Sequence, residues 1–122
     1  NGDGSGFWGR VAPDVNWTIM GTGPGAGTYT SLAELSANTI GKLVQFVDGP
    51  MKFKVRNILF AGGTVEWTTA ELQSNGRTKN GKDFVHNFVL ILRWNDQSQV
   101  VEVRDYLDSA LLKQIFEENE GL

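Results

Sequence analysis

One histidine and one aspartate carry the strongest signal for chemistry in this sequence. His86 lies in a long apolar stretch, and Asp105 lies in the next one. A tight connection at 95–98 would make these stretches antiparallel neighbours, with both side chains on one face, diagonal to each other and about 7–8 Å apart at Cα. A carboxylate that orients an imidazole forms a general base tuned near neutral pH, which can remove a proton next to a carbonyl. The competing interpretation is structural: His86 hydrogen-bonds inside the core, and Asp105 satisfies backbone donors.

Composition narrows the kinds of site that this chain can hold. Its 122 residues fit one domain, residues 1–122, and they include one histidine and no cysteine. Disulfides and thiolate metal sites are therefore excluded, and a transition-metal site is not expected because such sites need several nitrogen or sulfur ligands. We predict no metal and no cofactor. The net charge of −3 argues against a nucleic-acid partner.

Targeting signals are not visible in the sequence. No apolar run approaches the roughly 20 residues of a membrane span, and no signal peptide is recognisable. These observations predict a cytoplasmic protein with no membrane partner. The chain begins at Asn1 without an initiator methionine, which predicts an upstream segment.

A glycine-rich loop at 21–27 could suggest a nucleotide site. It lacks the lysine of a P-loop, and its glycine spacing does not match G-x-G-x-x-G before a helix. We predict instead a flexible lip over the mouth of a pocket, because loops with several glycines can move.

The elements that must position these residues follow from periodicity and turn chemistry. Ser31 and Asp108 have the character of helix N-caps, and each precedes residues with helical apolar spacing. Runs of strands with helices on one side are typical of an α+β domain. The predicted elements are helices 5–11, 32–44 and 109–118, and strands 16–20, 51–60, 64–73, 83–94 and 99–107.

A pocket-lining face follows from the predicted strand registers. If Ser74-Asn75-Gly76 and Asn80-Gly81 form the hairpin loop, Gln73 lies opposite Lys82. An apolar face with a few isolated polar groups is typical of a ligand pocket. The alternative interpretation for the aromatic residues of this face, Trp67 and Phe88, is plain core packing. The predicted pocket residues are Trp67, opposite Phe88; Thr69, opposite His86; Leu90; Val103; and, from the first strand, Thr18 and Met20.

Two stretches carry a family resemblance. Trp17–Tyr29 (WTIMGTGPGAGTY) and Val100–Ala110 (VVEVRDYLDSA) resemble the strand–loop segment and the final strand of SnoaL-like proteins. These belong to the nuclear transport factor 2-like superfamily, which includes ketosteroid isomerase and limonene-epoxide hydrolase. The resemblance implies a cone-shaped, curved antiparallel sheet with helices packed on its concave face. Family members usually begin with a long N-terminal helix, which this sequence lacks.

The resemblance implies a function more loosely than it implies a fold. Asp105, within Arg-Asp-Tyr-Leu-Asp, falls where SnoaL-like cyclases have a catalytic aspartate. Thr18 and Leu90 stand where ketosteroid isomerase has its acids, which disfavours steroid isomerisation. We therefore predict cofactor-independent cyclase, isomerase or dehydratase chemistry on a small hydrophobic, polyketide- or terpenoid-like molecule. The alternatives are a non-catalytic module that binds a hydrophobic ligand, and a dimerisation module. The resemblance also implies a homodimer formed through the outer sheet face, where Arg104 and Tyr106 are expected.

Overall fold

A computed structural model describes residues 5–60 and 66–120. Six strands form one curved, unclosed sheet in the order β2-β1-β6-β5-β4-β3. The strands are β1 Val11–Ile19, β2 Gly27–Tyr29, β3 Lys52–Phe60, β4 Trp67–Arg77, β5 Asp83–Trp94 and β6 Val100–Tyr106. The helices are α1 Ser5–Trp8, α2 Leu32–Leu35, α3 Gly41–Val44 and α4 Ser109–Asn119, with a π-helical segment, Ser36–Ile40, between α2 and α3.

The sheet has one face that carries the helices. Leu35 of α2 belongs to one buried cluster with Leu90 and Val103, and Ile115 of α4 belongs to another with Phe84. We call this the helix-covered face, and the opposite one the open face. The predicted α+β cone is confirmed, with one addition: β1 pairs with β6 in parallel, so the sheet is mixed.

The predicted register between β4 and β5 is wrong. Gln73 lies opposite Asn87 rather than Lys82, a shift of five residues. Because the shift is odd, every β4 side chain exchanges faces. The cause is Gly76, which continues the strand instead of forming the turn: a Cβ there would lie 2.9 Å from Phe84 Cε1. The glycine therefore permits a close cross-strand approach. The predicted start of this strand, at residue 64, lies outside the described residues.

The predicted register between β5 and β6 is also displaced, but by two residues. Leu90 lies opposite Asp105 rather than Val103 for two reasons. Trp94 lies opposite Val100 rather than Gln99, which displaces the pairing by one residue, and an irregularity between Arg93 and Trp94 skips Val101 and displaces it by one more. An even shift keeps each side chain on its predicted face. Leu90, Val103 and Asp105 therefore share the helix-covered face.

The helix caps form as the sequence predicts. Ser31 Oγ accepts the Glu34 backbone N–H at 3.1 Å, and Asp108 Oδ1 accepts that of Leu111 at 3.1 Å. The first predicted helix is shorter than expected, because α1 ends at Trp8 and β1 begins at Val11.

The predicted helix at 32–44 widens in its middle into the π-helical segment. The Gly41 N–H reaches back five residues to the Ser36 carbonyl. A Cβ at Gly41 would lie 2.7 Å from that oxygen, so glycine is the residue that permits the wide turn.

Strand β3 forms one edge of the sheet and is exposed on both faces. Val55, Ile58 and Phe60 pair with helix-covered-face residues of β4, yet each side chain is more than half exposed. The helix-covered face is therefore uncovered at its β3 end.

Candidate functional site

Asp105 is a buried carboxyl on the helix-covered face. It lies between Ile19 of β1 and Leu90 of β5, and only 8% of its surface is exposed. Both flanking side chains are apolar, so little around the carboxyl replaces the water that it loses on folding. An aspartate in such surroundings is a candidate for acid/base chemistry.

Trp17 supplies the hydrogen bond that Asp105 receives. Its indole N–H donates to Asp105 Oδ2 at 3.2 Å. Among the described residues, Asp105 Oδ1 has no hydrogen-bond partner. Burial raises the pKa of the Asp105 carboxyl to about 7, and the bond from Trp17 opposes that rise. Near neutral pH the group is therefore divided between its acidic and basic forms.

His86 has a structural hydrogen bond of its own. Its Nε2 accepts the backbone N–H of Asp108 at 3.1 Å, and its ring stacks on Phe88 with centroids 5.0 Å apart. Because Nε2 accepts, the proton of the neutral ring is on Nδ1. Burial lowers the pKa of His86, which the nearby Asp108 carboxylate partly offsets. A neutral His86 therefore ties β5 to the start of α4.

The predicted diagonal contact between His86 and Asp105 is wrong. Asp105 lies opposite Leu90, and His86 is four residues away along β5. At about 3.3 Å per residue the two positions are separated by roughly 13 Å along the strand. The two-residue displacement between β5 and β6 is the cause. Each side chain has a different partner, so the geometry does not form a carboxylate–imidazole dyad.

The predicted pocket residues divide between the two faces. Phe88, Leu90 and Val103 lie on the helix-covered face with Asp105. Trp67 and Thr69 lie on the open face, because the β4 register is displaced by an odd number of residues. The Trp67 ring there lies 4.9 Å from the Arg104 guanidinium carbon.

The predicted orientation of the first strand is reversed. In the second half of β1, the buried side chains are those of Val15, Trp17 and Ile19. Thr18 lies on the open face, where its hydroxyl meets that of Thr28 at 3.0 Å. Met20 follows the strand, and its backbone N–H donates to the Asp105 carbonyl at 2.9 Å. Alternation of Val15, Trp17 and Ile19 with polar Asn16 and Thr18 was the signal that favoured the correct orientation.

A groove of about 710 Å³ crosses the middle of β3, β4 and β5 and reaches the end of β6. Its lining includes Glu71, Gln73, Asn87 and Tyr106, which the register assigns to the open face. Phe88 is the predicted pocket residue that lines it, whereas Asp105 and His86 are not among its lining residues. The predicted pair and the groove are therefore separate features.

The glycine-rich loop packs closely against its neighbours. A Cβ at Gly23 would lie 2.6 Å from the Ser109 Cβ, and one at Gly25 would lie 3.4 Å from the Thr39 methyl carbon. Tyr29 Oη also donates to the Gly25 carbonyl at 2.8 Å. Gly23 thus permits close contact with α4, a role that differs from the predicted flexible lip.

Neither a metal cluster nor a membrane helix is found in residues 5–60 and 66–120. Within these ranges no three His, Cys, Asp or Glu side chains come together as metal ligands. In the same part of the chain, no helix is long and apolar enough to cross a membrane.

Known proteins resemble this chain in sequence and in fold. No family model matches it. It is 32% identical over 111 residues to the dimerizing cyclase phiC of a fungal species (strain ATCC 74256), an alignment that covers 90% of this chain and 49% of the cyclase. The chain thus spans about half the length of that curated relative.

Solved structures extend the likeness across most of the chain. A nuclear transport factor 2-like protein from Burkholderia thailandensis is 25% identical with a TM-score of 0.68, covering 88% of this chain and 80% of its own. TerC, co-crystallised with polyporic acid, is 19% identical with a TM-score of 0.71, covering 92% and 84%. The predicted resemblance to nuclear transport factor 2-like proteins is therefore confirmed, and the chain has the nuclear transport factor 2-like fold.

Proposed function

We propose that this domain is a cofactor-independent acid/base enzyme of the cyclase, isomerase or dehydratase type, in which Asp105 transfers the proton. The supporting observation is a carboxyl group buried among apolar side chains with one oxygen unpartnered among the described residues. Burial raises its pKa to about 7. A general base is most effective when its pKa lies near the working pH, because it is then both available and strong enough.

The proposed cyclisation begins with proton removal from a carbon next to a carbonyl group. Asp105 takes that proton, and the resulting enolate carbon attacks a second carbonyl of the substrate. The new carbon–carbon bond leaves an alkoxide, which takes the proton back from Asp105. An isomerase would return the proton to a different carbon, and a dehydratase would release water in addition. No electrons are gained or lost, so the reaction calls for no redox cofactor.

Similar proteins support this class of reaction. The relative with 32% identity is named a dimerizing cyclase, and the structural neighbour TerC was crystallised with polyporic acid. A small hydrophobic, polyketide- or terpenoid-like substrate suits apolar surroundings such as those of Asp105.

The strand register suggests where the hydrophobic part of the substrate would lie. Asp105, Leu90, Ala70 and Ile58 form one row across four neighbouring strands. At about 4.8 Å per strand the row extends roughly 14 Å, from the buried carboxyl to the exposed apolar side chain of Ile58. We propose that the substrate approaches Asp105 from this uncovered end of the face and that the residues covering Leu90 and Ala70 move aside to admit it, since both are buried.

The test measures proton abstraction directly. Wild-type protein is incubated with 2-tetralone, a ketone with an acidic carbon–hydrogen bond, in deuterated buffer, and exchange is followed by proton NMR. Asp105→Asn should lower the catalysed rate by about 10²–10⁴-fold, because a positioned general base contributes that much. Asp96→Asn, at an exposed turn position, is the matched control.

Two outcomes would contradict the proposal in different ways. Exchange at the wild-type rate in Asp105→Asn would mean that another group is the base. Binding of polyporic acid without exchange of 2-tetralone or of other enolisable ketones would favour the non-catalytic binding module.

We also propose that the open face forms a homodimer interface. Leu59, Trp67 and Tyr106 are large side chains exposed on that face. Aromatic residues are enriched at protein interfaces, which supports this assignment. Sedimentation equilibrium of the wild-type chain tests it, and a monomer at all accessible concentrations would refute it.

A further inference from the structure

We propose that Trp17 is a positioning residue that makes Oδ1 of Asp105 the atom that takes and returns the proton. This inference rests on the proposed function, since it assigns the chemistry to one of the two carboxyl oxygens. It follows from the asymmetry of the hydrogen bonds to that carboxyl.

Strand pairing brings the indole to the carboxyl. Ile19 of β1 pairs with Asp105, and Trp17 precedes Ile19 by two residues on the same face. The Trp17 N–H reaches Oδ2 at 3.2 Å, and both side chains are more than nine-tenths buried. Because β1 and β6 are parallel neighbours within the sheet, the backbone fixes the relative position of donor and acceptor.

Aromatic packing holds the donor in this orientation. The Trp8 ring stacks on Trp17 with centroids 5.5 Å apart and planes 16° apart. Phe7 meets the same indole edge-on, with centroids 6.4 Å apart. An indole packed on two sides has little freedom to rotate its N–H away from the carboxyl.

The indole can donate but cannot accept a proton from the carboxyl. Its N–H is a donor only, so Trp17 stabilises charge on Oδ2 and makes that oxygen the weaker base. Oδ1 receives no such bond from any described residue. The proton of the acid form therefore occupies Oδ1, and the substrate meets that oxygen.

The surrounding charges do not produce the same asymmetry. On β5, His86 is four residues from the residue opposite Asp105, and it bonds the Asp108 backbone at the start of α4. On β6, Arg104 and Tyr106 flank Asp105 in sequence and therefore point to the open face. The apolar Ile19 is its pairing neighbour on β1. Among the described residues, Trp17 is thus the polar group that distinguishes the two oxygens of the Asp105 carboxyl.

The test replaces the donor and follows the carboxyl itself. Trp17→Phe should raise the proton affinity of Asp105 about tenfold, because a hydrogen bond to a charged group contributes about 1.5 kcal/mol or more. Carbon-13 NMR titration of the Asp105 carboxyl measures this change. The pH profile of 2-tetralone exchange should move to higher pH by the same factor. Trp94→Phe is the matched control, since it removes an indole bond to the neutral Thr68 hydroxyl.

A second measurement needs no substitution of Trp17. The indole N–H signal of Trp17 in wild-type protein should titrate together with the Asp105 carboxyl, and Asp105→Asn should abolish that titration. An unchanged carboxyl titration in Trp17→Phe, or a Trp17 signal that is insensitive to pH, would overturn the inference. If either of these results is found while Asp105→Asn still loses exchange, the inference about Trp17 fails and the proposed function stands. Full exchange in Asp105→Asn would instead refute the proposed function.

Discussion

Replacing Asp105 by asparagine should stabilise the folded protein above neutral pH while it removes the proposed base. Burial raises the pKa of Asp105 from an ordinary 3.8 to about 7. The folded state therefore retains a proton that the unfolded chain releases near pH 4. The contribution of Asp105 to the free energy of unfolding is therefore complete below about pH 4 and is lost as the pH rises through about 7. Asparagine is neutral throughout and keeps an oxygen that can accept the Trp17 N–H.

The magnitude follows from the difference between the folded and unfolded pKa values. About three pH units correspond to about 4 kcal/mol of lost stability well above pH 7. The advantage of Asp105→Asn over wild type should accordingly grow by about 3 kcal/mol between pH 4.5 and pH 8.5. Urea unfolding of both proteins at several pH values measures this difference. Titration of His86 affects both proteins equally and cancels.

A constant difference between the two proteins across this pH range would refute the reasoning. It would mean that Asp105 titrates at an ordinary value, and that its burial does not impose the expected cost on the charged form. Asp96→Asn, which removes a carboxyl group from an exposed turn, is the control in the same measurement.

Two further predictions concern His86 and the open face. Burial lowers the pKa of His86, so its contribution to stability is complete above about pH 6.5 and is lost as the pH falls through the unfolded value. His86→Gln keeps an acceptor for the Asp108 N–H. In urea unfolding, its free energy of unfolding should be about 1–2 kcal/mol lower than that of wild type at pH 7.5, and the difference should be smaller at pH 5. An equal difference at both pH values would contradict this prediction. Trp67→Ser should weaken the proposed homodimer at least tenfold in sedimentation equilibrium, since central aromatic residues dominate interfaces. Val44→Ser, on exposed α3, is its control, and an unchanged dimer in Trp67→Ser would contradict the assignment.

Local signals in the sequence predict most of the elements correctly. Ser31 and Asp108 cap helices because their side chains bond nearby backbone groups, which a short sequence window contains. Strand β5 has its predicted bounds, since most of its residues from 84 to 92 are apolar. The recognised motif around Asp105 likewise predicts the correct fold.

Long-range pairing was much harder to predict than local structure. Gly76 has the residue type of a turn, and only the Phe84 ring packed against it explains why the strand continues. The bond from Trp17 to Asp105 joins residues 88 positions apart. It depends on a parallel pairing of the first and last long strands, which no local pattern reveals. The donor to the proposed base was therefore missed although its strand was predicted.

Strand β3 has consequences for how this protein behaves in concentrated solution. Its first half carries Lys52, Lys54 and Arg56, together with a register irregularity between Val55 and Asn57, features that oppose pairing with another sheet edge. Its second half, 58–60, is exposed and apolar, so it lacks that protection. At this edge of the sheet, resistance to edge-to-edge aggregation therefore comes from one half of the strand, and like-charge repulsion contributes part of it. Because salt screens such repulsion, the ionic strength of the buffer becomes a determinant of how long the protein stays dispersed.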